Sequence, residues 1–219
     1  MAYDQNNQLS TSILSIGTLS LLGGRLCLDF VNTLDPRIGS HPQDFLNDYT
    51  DLVEWGHHTA ILTEEQQQRV LHIATQRPES AQRVFGQAVT LREALYSIFL
   101  AFAHTRIPQK ADLEVLETAF RDAMFHTHLA PNAEGLEWRV STEGDDLEYV
   151  LWLVARSAVE LLTSEEVKKV KECPGLGDCG WLFLDTSKNG SRQWCSMQGC
   201  GSRSKMRRQY ARKRAVSTR

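Results

Sequence analysis

The chain has 219 residues, 42% hydrophobic and 8% aromatic, with 24 basic and 27 acidic side chains and a formal net charge of −3. That length holds one core of ordinary size, or one domain with a small module stabilised from outside. The composition is that of a soluble globular protein, and no apolar run is long enough to span a membrane.

The first 24 residues carry no Lys or Arg, so they lack the basic region of a secretory signal, and a cytoplasmic location is expected. Cys27 sits in the apolar run "RLCLDFV" and reads as a small buried hydrophobe. Asp29 and Asn32 are polar groups in the same apolar context. They are candidate ligand-binding residues, the alternative being hydrogen bonds that fix the local backbone. From Asp48 to Thr163 the pattern is helical. Thr63 and Gln66 have capping-box spacing and open a surface helix. Val84, Ala88, Leu91, Leu95, Ile98 and Phe102 form a stripe wide enough for a central core helix over 81–104. Similar spacing recurs at Leu113, Leu116, Phe120 and Ala123, and at Leu147, Val150, Leu151, Val154, Ala158 and Leu161 after an acidic "EGDD" start. Between these two runs "GLEWRV" alternates and predicts a short strand or hairpin. No catalytic motif is present, and the scattered histidines do not form a metal site. The paired acids Glu64 and Glu65, Asp145 and Asp146, and Glu165 and Glu166 fall at helix starts, where negative charge complements the dipole.

The helical spacing gives out near "TSEEVKKVKEC", where four of the five cysteines begin. Cys173, Cys179, Cys195 and Cys200 are spaced C-x5-C-x15-C-x4-C, two close pairs that can close a tetrahedral zinc site. In a reducing compartment such a cluster points to metal ligation rather than disulfides. Pro174 and three glycines surround the first pair. "WLFLDTSKNGSRQW" then predicts strand, turn and strand, and a helix rich in Arg and Lys follows Cys200. Ten basic and no acidic residues lie between Lys188 and Arg219. That leaves 14 of the 24 basic groups against all 27 acids in residues 1 to 187, about −13 against +10. A basic segment on an acidic body meets a polyanion, meets the body, or stays solvated.

"CGWLFLDTSKNGSRQWCSMQGCGSRSKMRRQYARKR" resembles the CGNR zinc finger, and "GGRLCLDFVNTLDPR" resembles the opening of the ABATE domain that precedes it in bacterial proteins. The family is regarded as one of stress-induced transcriptional regulators. The namesake Cys-Gly-Asn-Arg is Cys200-Gly201-Ser202-Arg203 here, and Ser202 keeps a cap-capable side chain, so the turn is expected to survive. The resemblance implies an α+β, mainly α fold: a helical ABATE-like sensor or regulatory domain with a short β-hairpin over 1–166, a small treble-clef-like finger over 167–214 and a tail at 215–219. One structural zinc held by the four cysteines would stabilise a module of about 45 residues that is too small to hold itself together.

The function expected is DNA binding for transcription regulation. Arg192, Arg203, Lys205, Arg207, Arg208 and Arg212 would contact nucleic acid, and the N-terminal domain would sense a small-molecule or protein effector. The competing reading is a zinc-stabilised protein-interaction module, or an RNA binder. An enzyme is not expected, since four Cys ligands leave no open coordination position. No membrane partner is expected, and a homodimer is compatible with the reading. Two structural expectations follow: residues 1 to 166 fold alone, and Met206 and Tyr210 pack the terminal helix against the finger near Trp181 or Trp194.

Overall fold

The computed structural model describes residues 15–141 and 146–217, apart from the side chains of residue 212 and of 215–217. The expected "EGDD" helix start, Asp146 excepted, falls outside them. In chain order the elements are α1 (Leu26–Val31), β1 (Leu34–Asp35), β2 (Gln43–Asp44), α2 (Tyr49–His58), α3 (Glu64–Gln76), α4 (Pro78–Ala103) and α5 (Lys110–Phe125). There follow β3 (Thr127–Asn132), β4 (Gly135–Val140), α6 (Tyr149–Leu162), β5 (Val170–Glu172), β6 (Leu182–Leu184) and α7 (Ser202–Ser217). The strands pair antiparallel as β1–β2, β3–β4 and β5–β6. The fold is α+β and mainly α.

Local chemistry sets the helix starts. The Asp48 carboxylate accepts the Thr50 and Asp51 amides at the head of α2. Both halves of the Thr63–Gln66 capping box are formed at α3, and Pro78 opens α4 where its missing N–H costs nothing. The α4 stripe Val84, Ala88, Leu91, Leu95 and Ile98 is buried, as are Val150, Val154, Ala158 and Leu161 of α6, whereas Phe102, expected on the same stripe, is exposed at the end of α4. At Gly56 in α2 an added Cβ would stand 2.8 Å from Leu62 and 3.0 Å from Val150, so the glycine sets how closely α2 approaches α6. "GLEWRV" forms β4, whose partner is β3, with Leu129 opposite Trp138.

A single buried cluster runs from Ile16 through the helices to Leu182, Phe183, Leu184 and the four clustered cysteines. The finger therefore shares the core of the helical part instead of forming its own. That argues against independent folding of residues 1 to 166, because removing β5 and β6 would expose apolar faces of α1 and α4, which pack on them.

A charged network next to this seam holds the loop after β1. Buried Arg92 of α4 binds both Asp44 oxygens at 2.6 and 2.7 Å. Glu93 bonds Arg92 Nε and Arg37, and the Arg37 guanidinium stacks on Tyr96 at 4.4 Å. The bidentate geometry returns much of the desolvation cost of burying Arg92.

Candidate metal centre and basic helix

The first two cysteines sit at the tip of the β5–β6 hairpin. The ladder extends beyond Glu172↔Leu182 through Cys173 N–H to Trp181 O and Gly180 N–H to Cys173 O. The chain then turns through Gly175, Leu176, Gly177 and Gly180, all with positive φ. A Cβ on Gly175 would lie 2.0 Å from that of Cys179, so only glycine fits this tight turn. The second pair is set by a wide turn over Met197–Gly201: Ser196 Oγ accepts Gly199 N–H, and Gly201 N–H reaches Ser196 O. Ser202 donates its hydroxyl to Met197 O at 2.9 Å, and the turn survives the loss of the motif Asn.

These two turns bring all four sulfurs within 4.8 Å of one another, each cysteine buried. The Cys179–Cys195 and Cys195–Cys200 separations are 3.7 and 3.6 Å. A tetrahedron with Zn–S bonds of about 2.3 Å has edges of about 3.8 Å, so the two short separations match it and the four thiols fit as a zinc donor set. Sulfur-to-sulfur hydrogen bonds lower the Cys173 thiol and raise those of Cys179 and Cys195, a conflict among crowded acids that a dication removes. Arg203 Nη2 lies 3.1 Å from Cys200 Sγ, and this contact raises the guanidinium above its ordinary value. It supplies positive charge to a site that four thiolates leave negative.

Residues 24–165 match the family model described as "Putative stress-induced transcription regulator", the ABATE domain, and residues 169–213 match the CGNR zinc finger. The chain belongs to the ABATE family. No curated protein matches it. The finger match and the sulfur geometry together assign one structural zinc to Cys173, Cys179, Cys195 and Cys200.

The ABATE opening segment turns out to be a cradle for the finger. Asn32, 1% exposed, donates its amide to Leu182 O at 2.9 Å and accepts Leu182 N–H at 3.0 Å, acting as a one-residue strand on the free edge of β6. Gly23 O accepts Leu184 N–H, while Gly23 N–H is held by Asp29 Oδ1 at 2.7 Å. A Cβ on Gly23 would meet Asp29 N and Leu28 Cβ at 2.7 Å. Trp181 donates to Leu34 O, and the Arg37 amide donates to Cys179 O. Of the two readings open for Asp29 and Asn32, a ligand pocket or hydrogen bonds that fix the backbone, their contacts match the second.

Burial pushes the Asp29 carboxyl up to about 6, against the opposing pull of the Gly23 and Leu22 amides and His58. A carboxyl raised above its unfolded value favours the fold most when protonated. Its contribution falls as pH rises from 3.8 through about 6 and is flat above that. Asp29→Asn keeps the acceptor for Gly23 and removes this titration. Its stability relative to the parent is expected to increase between pH of about 4 and 6 in denaturant titrations and to level off above that. A difference that is constant across that range would show the carboxyl to be unperturbed.

The basic residues divide. Arg192, expected at the nucleic-acid interface, is half-buried: its guanidinium lies 4.3 Å over the Phe183 ring. It donates to the carbonyls of Leu22, Leu184, Trp194 and Cys195. With those donors committed it ties the finger to the segment before α1. Arg203, Lys205, Arg207 and Arg208 are exposed, Arg208 reaching Ser204 Oγ at 3.3 Å; the side chain of Arg212 is outside the described residues.

Two further expectations are corrected. Residues 185–194 form no second strand. They wind around the buried Asp185 carboxylate, which accepts from Ser187 N–H, Ser187 Oγ, Arg192 N–H and Lys171 Nζ. Burial alone would raise this carboxyl, but Lys171 and the other donors hold it well below the usual range. Met206 and Tyr210 are 51% and 68% exposed and do not join the buried core. The apolar side of the finger is covered by the helical part, and α7 packs mainly on the Cys200 turn, with Ser204 buried there. Residues missed by sequence reasoning are Arg37, Arg92 and Tyr96. Only the "DPR" ending of the ABATE signature marked Arg37.

Proposed function

We propose that the chain is a DNA-binding transcription regulator in which zinc presents α7 to duplex DNA and residues 1 to 166 sense an effector. The observation that carries this reading is α7 itself. Between Ser202 and Ser217 it has seven Lys and Arg and no acid, and its described side chains from Lys205 onward are exposed. Such a helix neutralises phosphates and releases their counterions. The acidic body, about −13 over residues 1 to 187, repels the backbone and confines contact to the tail. Four thiolate ligands make the zinc a structural part of this presentation and leave it no open position for catalysis. Among the described residues no helix is long and apolar enough to cross a membrane. A regulator acting on the chromosome works in the cytoplasm.

The test is a titration of labelled duplex DNA at several salt concentrations with zinc content verified. Lys205→Ala with Arg208→Ala is expected to flatten the log–log salt slope by about two units, near 0.9 for each lost contact. An unchanged slope and affinity would reject α7 as the interface. The exposed Met206 and Tyr210 favour the protein-interaction reading as runner-up, in which α7 docks on an acidic protein surface. Binding to an acidic partner that survives with no duplex affinity would select it.

A further inference from the structure

The helical part contains a cleft of about 1240 Å³ between α4, α5 and the start of α6, away from the metal centre and from Asp29 and Asn32. Its apolar lining comes from Leu91, Val115, Leu151 and Trp152. We propose that this cleft binds an amphipathic carboxylate, with an apolar body of one or two rings or a medium acyl chain and its anionic head on Arg121. The volume exceeds the 300–1,000 Å³ range of ordinary small-molecule sites, so a body of that size has room.

Three features of the walls support the assignment. Gly86 lies in the middle of α4, where glycine costs about 1 kcal/mol relative to alanine, yet a Cβ there would meet nothing within 4 Å. Among the described residues no packing demands that glycine; it leaves bare backbone facing the cleft, open to close approach by a ligand. Two acids of the lining are ion-paired within the fold, Glu148 with Arg83 at 3.1 Å and Glu114 with Lys110 at 3.2 Å, while Asp122 accepts the Trp152 indole at 2.7 Å and keeps its charge. Arg121 has no hydrogen-bond or ion-pair partner among the described residues, which leaves its guanidinium to receive an anionic head. Phe125, one turn further along α5, is 86% exposed at the mouth and offers a ring to cover an apolar body. The same helix α4 continues from the cleft to Arg92, Glu93 and Tyr96, whose hydroxyl reaches Gly180 O at 3.3 Å beside the knuckle.

Ligand binding stands on the cleft alone, whereas a consequence at DNA rests on the proposed function. The experiment uses the intact zinc-loaded chain with 1-anilinonaphthalene-8-sulfonate as the fluorescent probe, dodecanoate as competitor and tetraphenylphosphonium as a lipophilic cation. One saturable site is expected, displaced by dodecanoate and not by the cation. Gly86→Leu projects a branched side chain into the cleft while improving helix propensity, so it is expected to weaken binding without lowering Tm. Arg121→Ala is expected to weaken dodecanoate about tenfold or more, the worth of a charge-assisted hydrogen bond. Absence of saturable binding, undiminished binding by Gly86→Leu, or equal displacement by the cation overturns the proposal. Dodecanoate that binds as expected yet leaves DNA affinity unchanged refutes the sensor role and leaves the site standing.

Discussion

Stripping the zinc, by chelation or by Cys195→Ser, is expected to unfold the helical part together with the finger in one transition. Leu182, Phe183 and Leu184 have no exposed surface, and they belong to the same buried cluster as α1, α4 and α6. Burying three such side chains contributes about 5–9 kcal/mol, against a total stability of about 5–15 kcal/mol for a domain. The hairpin that carries them ends in two of the four ligands, and structural zinc in small modules contributes about 10–16 kcal/mol of binding. A detached hairpin would leave α1 and the adjoining faces of α4 in water. Thermal melts followed by far-ultraviolet circular dichroism should show a Tm lowered by at least about 10 °C. A helical signal that melts at the parent temperature after metal analysis shows zinc to be gone would prove the body independent. The fragment 1 to 166 is expected to behave like the stripped protein, for the same reason.

Asn32→Ala is expected to be among the most damaging single substitutions outside the metal ligands. The side chain makes two hydrogen bonds to one residue of β6, at 2.9 and 3.0 Å. Deleting it leaves a buried N–H and a buried C=O of Leu182 without partners, at about 1–3 kcal/mol each. A total near 2–6 kcal/mol corresponds to about 5–20 °C in Tm for a chain of this size. Asn32→Asp should do no better, since it loses the donor to Leu182 O and adds a charge beneath the finger. Urea titration of zinc-loaded protein is the measurement. A loss below about 1 kcal/mol for the alanine variant would mean that water or backbone replaces the amide, and that the cradle is not what joins finger to body.

Features whose information is local or periodic were legible in the sequence. Residue type and spacing define the zinc ligands, because metal coordination requires four thiols and two close pairs are how a short segment supplies them. The buried stripes of α4 and α6, the Thr63 capping box and the glycine-rich turn around Cys179 follow from helical periodicity and from steric rules a few residues long. The charge separation between body and tail is likewise visible in the chain as written.

Only the tertiary structure decided how these pieces meet. Asn32 and Leu182 are 150 residues apart, so nothing in "CLDFVNT" could tell an amide lining a pocket from one pairing with a strand. Arg192 looks like its neighbours in a basic tail, yet the Phe183 ring and four carbonyls absorb it, while Lys205 and Arg207 further along the chain stay in water. Met206 and Tyr210 have the spacing of a packed face, but the surface they would have covered had already been taken by α1 and α4. The cleft beside Gly86 left no pattern at all, since it is the space left where three helices diverge. Spacing along a chain specifies which side chains can act together locally; burial and partnership across the fold depend on which surfaces meet, and that is a property of the packed molecule.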